Sequence, residues 1–269
     1  NPVPDDSGNG HAGSVTGATW VAGGIIGGAY SFDGTDDDLV VPDEPGLRFG
    51  SGDFTLSVWV KPPQTGLATG AFITKRLPDG GTYELVAYEG TVSFLVQWGP
   101  DAAKIRANHS INDGAWHHLA AKRDGGVISL FVDGERQTSM AVAAGDVDNN
   151  EDLHIGKMSG TPYYFGGEID EVRIYSRALA DDEVTLLRAS ALAPQATLTV
   201  QGDPGQYGNP EPLSYGAHSV FPGMVLANSV ASPGSGGPGI RHTCTGWTGT
   251  GDVPVSGTGT SVVFTVTQD

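Results

Sequence analysis

Between residues 30 and 175, apolar and polar positions alternate in short runs. That is the period of a β-strand rather than a helix. Residues 30–41 and 53–61 read as strands. In the second, Phe54, Leu56, Val58 and Val60 alternate with Thr55, Ser57 and Trp59, so one face is apolar and the other mixed. A meander follows at 71–75, 83–88, 92–98 and 103–107. Trp116-His117-His118 opens the next strand, which runs to Arg123. Residues 127–132 form another, with Asp133-Gly134 as a hairpin turn. Residues 144–152, rich in Gly, Asp and Asn, read as a loop, and 153–157 return to strand.

The stretch from Gly166 to Val184 reads GGEIDEVRIYSRALADDEV. Asp170, Val172 and Ile174 share one parity of a strand; Ile169, Glu171, Arg173 and Tyr175 share the other. If Val172 and Ile174 face a core, strict alternation puts the Asp170 carboxylate there too. A buried carboxylate must be hydrogen-bonded or bound to a cation. Residues 176–180 then turn the chain. Asp181, Asp182 and Glu183 sit where a short helix begins, the end that acids favour.

Composition breaks after Arg188. Residues 189–195 read as a linker containing Pro194, and from Ala196 onward there is no Lys and a single Arg. Residues 196–200, 224–230, 241–247 and 261–267 alternate like strands, separated by Gly- and Pro-rich turns. The expected division is residues 1–188, a linker at 189–195, and a smaller all-β module at 196–269.

The chain has 269 residues with 41 Gly and 17 Pro, which suits many short strands and tight turns. A net charge of −17 argues against a nucleic-acid partner and fits a soluble, cation-attracting surface. No apolar run approaches the roughly 20 residues of a membrane span. The chain starts at Asn1 with no signal peptide, so it reads as a processed or partial product. Cys244 is the only cysteine, which excludes an intramolecular disulfide. It reads as a small buried apolar residue, with an intermolecular bridge as the alternative.

Several short patterns lose their chemistry on inspection. Residues 8–13 match GxGxxG, but Pro2, Pro4 and two aspartates precede them and no helical period follows, so a dinucleotide loop is rejected. Neighbouring residues on a strand point opposite ways, so His117 and His118 cannot chelate one ion together; one packed ring and one exposed ring is the expectation. Asn108-His109-Ser110 is a glycosylation sequon in form only. Asp36, Asp37 and Asp38 read as a solvated turn, with a second cation site as the weaker reading.

Read in order, DDSGNGHAG at 5–13, YSFDGTDD at 30–37, GDFTLSVWVKP at 52–62, GAWHHLAAKRDGGVISLFVDG at 114–134, LHIGK at 153–157 and the GxIDEVRIYSRAL phrase resemble laminin G-like, concanavalin A-like jelly-roll domains. The resemblance covers residues 5–188 and implies an all-β, antiparallel sandwich. It also implies that the first loop is a calcium loop, with Asp5 as its first acid and Asn9 as its amide; the in-phase Asp170 is the candidate for the buried carboxylate that meets it. Calcium takes six to eight oxygens, and Gly-rich loops expose carbonyls. The alternative is a hydrogen-bonded loop with no metal, Asp170 accepting backbone N–H groups. The phrase CTGWTGTG at 244–251 resembles a small all-β repeat of secreted and cell-surface bacterial proteins.

Some members of the resembled fold are glycoside hydrolases, whose strand carries Glu-x-Asp and a second Glu at +4 or +5. Here Glu168 and Asp170 begin that pattern, but Val172 and Arg173 occupy the later positions. No nucleophile elbow or zinc spacing occurs. The expectation is therefore a non-catalytic extracellular or bacterial cell-surface module binding a glycan or a protein, with structural Ca2+. Tyr88, Trp98 and Tyr163 are the candidate ligand-facing aromatics, because apolar sugar faces stack on rings. The competing class is a filament subunit. In the resembled family a strand precedes the DDSGNG loop, and here only Asn1–Pro4 stand before Asp5. A missing strand would invite head-to-tail association by strand addition.

Overall fold

The computed structural model describes residues 2–64, 68–143 and 145–192, and beyond them 196–200, 210–211, 216–220, 225–230, 234–235, 241–242, 246–248 and 256–265. The chain divides into two compact units, Asn1–Arg188 and Ala189–Asp269.

In the first unit fifteen strands are followed by a helix. They are β1 Pro2–Val3, β2 Gly13–Thr16, β3 Thr19–Ala22, β4 Gly28–Asp33, β5 Asp38–Val41, β6 Phe54–Lys61, β7 Gly70–Arg76, β8 Thr82–Tyr88, β9 Thr91–Trp98, β10 Asp101–Arg106, β11 His117–Asp124, β12 Val127–Val132, β13 Glu135–Ala141, β14 Leu153–Ile155 and β15 Gly166–Tyr175, then α1 Asp181–Leu192. Eight strands form one sheet in the order β1-β2-β5-β14-β7-β8-β9-β10, and seven form the other in the order β13-β12-β11-β6-β15-β4-β3. All their pairings are antiparallel. The two inner faces bury one core, to which β6 contributes Phe54, Leu56, Val58 and Val60, and the opposite sheet Phe72, Leu85, Phe94 and Val96. This is a jelly-roll sandwich, and the alternation along β6 is its signature.

Turn chemistry fits the hairpins. Glu89-Gly90 joins β8 to β9 and Asp133-Gly134 joins β12 to β13, all four residues at positive φ. Two-residue turns with that backbone match the twist of the strands they join.

Four local expectations change. Residues 1–19, polar and Gly-rich and so expected as a loop leading to Trp20, are not all loop: β1 and β2 lie within them and pair Pro2 with Ser14. The strand position before the first loop is therefore filled by β1. Residues 30–41 form two strands, because the chain turns at 34–37. Residues 189–192, expected as linker, are the last part of α1. The strict parity of the closing strand also fails. The register of β15 on β6 shifts between Asp170 and Arg173, and Glu171 has φ 49°. Such a bulge inserts one extra residue and exchanges the faces beyond it. Ile169 before it, and Val172 and Ile174 after it, all turn to the core. Asp170 faces the other way.

Helix α1 covers part of the outer face of the seven-stranded sheet. Leu179 and Val184 pack on Ala120 and Phe131, with Tyr175 and Leu187 beside them. The Glu183 carboxylate accepts the Ala180 N–H and so caps the first turn, where Asp181 and Asp182 also sit.

In the second unit Ala196–Val200 pairs with Gly216–Val220, and Val225–Val230 pairs with Pro210–Glu211 and Ser261–Thr265. Gly234–Ser235 pairs with Arg241–His242, and Gly246–Thr248 with Ser256–Thr258. Cys244 lies outside the described residues.

Candidate functional site

The outer face of the eight-stranded sheet carries a band of polar and aromatic groups not spent on the core. The strand registers place its side chains in rows. One row crosses β14, β7, β8, β9 and β10 as His154, Thr74, Glu84, Leu95 and Lys104. The next holds Arg76, Thr82, Gln97 and Ala102; on the other side lie Val86, Ser93 and Arg106, with Tyr88 at the end of β8. These positions alternate with Tyr83, Leu85, Phe94, Val96 and Ile105, which face the core.

Glu84 anchors the middle of the face. Its Oε1 accepts from Thr74 Oγ1 at 3.1 Å and lies 3.5 Å from Arg76 Nη1. Burial pushes its carboxyl up, against the pull of Arg76 and Thr74. Arg76 Nη1 also lies 3.4 Å from Met158 Sδ. Met158 packs on Ala71 and Val86 with Tyr88 against them. It belongs to a hairpin closed by Phe165 N–H to Gly156 O and by Met158 N–H to Tyr163 O. Tyr88 is half-buried, with Lys104 Nζ 3.4 Å from its ring centroid and the Arg106 guanidinium at 4.9 Å. Burial pushes the Lys104 ammonium down. Ser93 Oγ is buried on this face without a hydrogen-bond partner.

The three candidate aromatics separate. Tyr88 stands on this outer face, and the exposed Tyr163 rides on the hairpin whose Met158 touches Tyr88. Trp98 has the parity of Val96, packs against the core, and is so closely covered by Gly145 that a Cβ there would overlap its indole. The pattern gave all three as exposed aromatics near loops and carried no sign of which face each takes. Glu84, Arg76, Lys104 and Met158 were not singled out from sequence, because each is unremarkable until the register sets them side by side.

Of the three expected metal ligands, Asp5 and Asn9 share the first loop, and Asp170 is bonded elsewhere. Asp5 accepts Ser7 N–H at 3.0 Å, Ser7 Oγ at 2.8 Å and His11 N–H at 2.9 Å, and those bonds hold its carboxyl down at about 2. Asn9 donates to Ser7 Oγ. These bonds stay inside the first loop. Asp170, on the other sheet, accepts Ile26 N–H at 3.0 Å and Glu171 N–H at 2.8 Å. It therefore pins residues 23–27, the β3–β4 turn, and burial raises its carboxyl. Each Asp170 oxygen thus accepts one backbone N–H, the partner that a buried carboxylate needs.

Two other expectations change in detail. Asp38 leaves the acidic turn: its carboxylate lies 2.9 Å from His154 Nδ1 and 3.5 Å from Lys157 Nζ. The carboxylate oxygens of Asp33, Asp36 and Asp37 lie within 4.8 Å of one another, and Asp37 accepts the Asp33 N–H. Of the histidine pair, His118 is fully buried against Trp59, and His117 sits between Asp133 at 2.8 Å and Asp113 at 2.9 Å.

A family model described as the concanavalin A-like lectin/glucanases superfamily matches residues 33–185. Among curated proteins nothing matches. Several solved structures share the fold. The binding domain of Paraclostridial Mosquitocidal Protein 1 is 17% identical with a TM-score of 0.61, over 85% of this chain and 62% of that one, so this chain spans less than two thirds of its length. Domain 4 of AbnA, a GH43 extracellular arabinanase from Geobacillus stearothermophilus, solved in complex with arabinotriose, is 29% identical with a TM-score of 0.57, over 68% of this chain and 91% of that one. A botulinum neurotoxin type C structure, whose cell entry is described as dependent on two ganglioside molecules, is 14% identical with a TM-score of 0.57, over 70% and 48%.

Proposed function

Because this chain belongs to the concanavalin A-like lectin/glucanase superfamily, we propose that its first unit is a non-catalytic, extracellular carbohydrate-binding module. The ligand lies along the outer face of the eight-stranded sheet. The observation that carries this reading is the set His154, Lys104, Arg76, Arg106 and Tyr88, part-exposed on that face and ordered by the buried Thr74 and Glu84 in the same row. Sugar hydroxyls need a dense set of donors and acceptors beside an aromatic ring, and this face holds both. The complex of AbnA domain 4 with arabinotriose supports an oligosaccharide as the ligand class.

The same geometry argues against hydrolysis. Glu89, in the β8–β9 turn, is held by Arg106 at 2.8 Å. Glu84 and Asp38 are carboxylates of this face three strand spacings apart, on β8 and β5. That is roughly 14 Å, whereas a hydrolytic pair works at about 5–9.5 Å. Asp38 is also tied to His154 and Lys157. On the other sheet Glu168 bonds Lys61 at 3.0 Å, and Asp170 is held by amides. Among the described residues no helix is long and apolar enough to cross a membrane.

A glycan array followed by calorimetry with arabinotriose tests this reading. Tyr88→Ala and Glu84→Gln should each weaken the best ligand at least about tenfold, roughly 1.4 kcal/mol. Unchanged binding in both variants would remove the outer face as the site.

A further inference from the structure

The opposite edge of the sandwich carries a second aromatic group that the reading above does not use. Trp20, on β3, is 63% exposed. Tyr30 is its register partner on β4. One side of the indole lies flat on Gly28, where an added Cβ would overlap the ring. Gly28 is not at positive φ, so its backbone does not demand glycine. What demands it is the indole. The ring is thus seated on backbone from one side and left open on the other. A tryptophan exposed merely by chance needs no such seat.

Beside the ring, a cleft of about 440 Å³ opens between β2 and β3, lined by Val15, Gly17, Ala18, Thr19, Trp20 and Tyr30. Its size falls in the range of small-molecule sites. Three features define what it fits. First, no lining side chain is charged, so the contact is ring face and hydroxyl rather than ion pair. Second, β3 is the last strand of its sheet, so its outer edge offers backbone N–H and C=O groups, and Thr19 and Tyr30 add hydroxyls. Third, the Asp37 carboxylate stands against Gly17, and Asp33 and Asp36 are beside it, which repels an anionic ligand. A strand from a protein partner would find only the four residues of β3 to pair with.

We propose that this cleft is a second carbohydrate site, holding one uncharged sugar residue with its apolar face on Trp20 and its hydroxyls on Tyr30, Thr19 and the free edge of β3. It uses the edge of the seven-stranded sheet, not the outer face of the eight-stranded one, so either site stands or falls without the other.

The test is an array of neutral and of sialic- or uronic-acid-bearing oligosaccharides, probed with the wild-type chain, Trp20→Ala, Trp20→Phe and Tyr88→Ala, the last also combined with each Trp20 change. Melting curves confirm that each variant is folded; an exposed side chain costs little stability when removed. Tryptophan emission is read during titration with each hit. The expected result is neutral-glycan binding by Tyr88→Ala at reduced strength; for the glycans that it still binds, a loss of at least about tenfold when Trp20→Ala is added to it and recovery to within about threefold with Trp20→Phe in its place; and a blue shift of emission that Trp20→Ala abolishes. Binding of every glycan by Trp20→Ala as by wild type overturns the proposal and leaves the outer face untouched. So does a preference for acidic glycans through Trp20, or wild-type self-association in sedimentation that Trp20→Ala abolishes, since the cleft would then seat a second copy.

Discussion

His118 is sealed on the outer face of the seven-stranded sheet, its ring 5.3 Å from that of Trp59 and its Nε2 2.9 Å from Ser57 Oγ. Its Nδ1 has no partner. Burial holds the imidazole down at about 4 from a usual 6.5, with Asp133 opposing and Arg188 and Arg173 assisting. The neutral ring is thus the folded form, and the unfolded chain takes up the proton first. This contribution is fully present above pH 6.5 and is lost as the pH falls toward 4. At 1.36 kcal/mol per pH unit, the loss is on the order of 3 kcal/mol. His117 runs the other way: its hydrogen bond to Asp133 raises it, so its contribution is present at low pH and lost as the pH rises through its raised value. The His118→Gln variant separates the two. Urea unfolding should show its deficit against wild type largest near pH 8 and shrinking by roughly 3 kcal/mol between pH 6.5 and 4. A deficit constant over that range would remove this account.

At the scale of the element, β15 shows what the sequence carries and what it hides. Its strand character, the turn at 176–180 and the helix that follows were legible, because alternation and acidic start signals are local; its pairing with β6 was not, because a pairing is not local. The placement of Asp170 was not, because the bulge rests on Glu171 at φ 49°. Glycine would have announced that conformation, and a glutamate does not. Trp98 hid for a related reason: parity told which positions share a face, but not which face the sandwich closes over. Gly28 hid as well, since only the indole of Trp20 above it explains the missing side chain. Deleting Glu171 should leave Ile169, Val172 and Ile174 at alternate positions of a regular strand, so all three keep the core face and their register on β6 without a bulge. The loss should stay within about 1 kcal/mol, since no aliphatic side chain leaves the core. Glu171→Gly keeps the bulge in a residue suited to it, and loses only the pairing of Glu171 with Arg173. Its stability should stay within about 1 kcal/mol of wild type. Chemical denaturation of both variants checks the pair. A loss of more than roughly 2 kcal/mol in the deletion would mean that one of these side chains has left the core and that Glu171 is not the extra residue.

At the scale of the whole molecule, the first unit has an apolar core of its own. Its large core runs from Phe32 to Ile169, and its second apolar cluster closes with Leu179 and Val184. The compact unit ends at Arg188, yet α1 continues to Leu192 and buries Ala191. A chain cut after Leu192 should therefore unfold in a single cooperative transition and keep the glycan affinity of the full chain. A chain cut after Ala180 removes the helix and bares Phe131, Ala120 and Leu179 on the sheet. Losing the burial of Val184 alone costs about 1.5–3 kcal/mol, and the newly exposed Phe131 adds to it. The shorter piece should thus melt well below the longer one while both keep Tyr88, Glu84 and Lys104 in place. Calorimetric scans of the two pieces, with arabinotriose titrated into each below its melting temperature, separate stability from binding. Equal melting temperatures would show that α1 is an appendage rather than a cover. Failure of the longer piece to melt cooperatively would show that residues 193–269 complete its core.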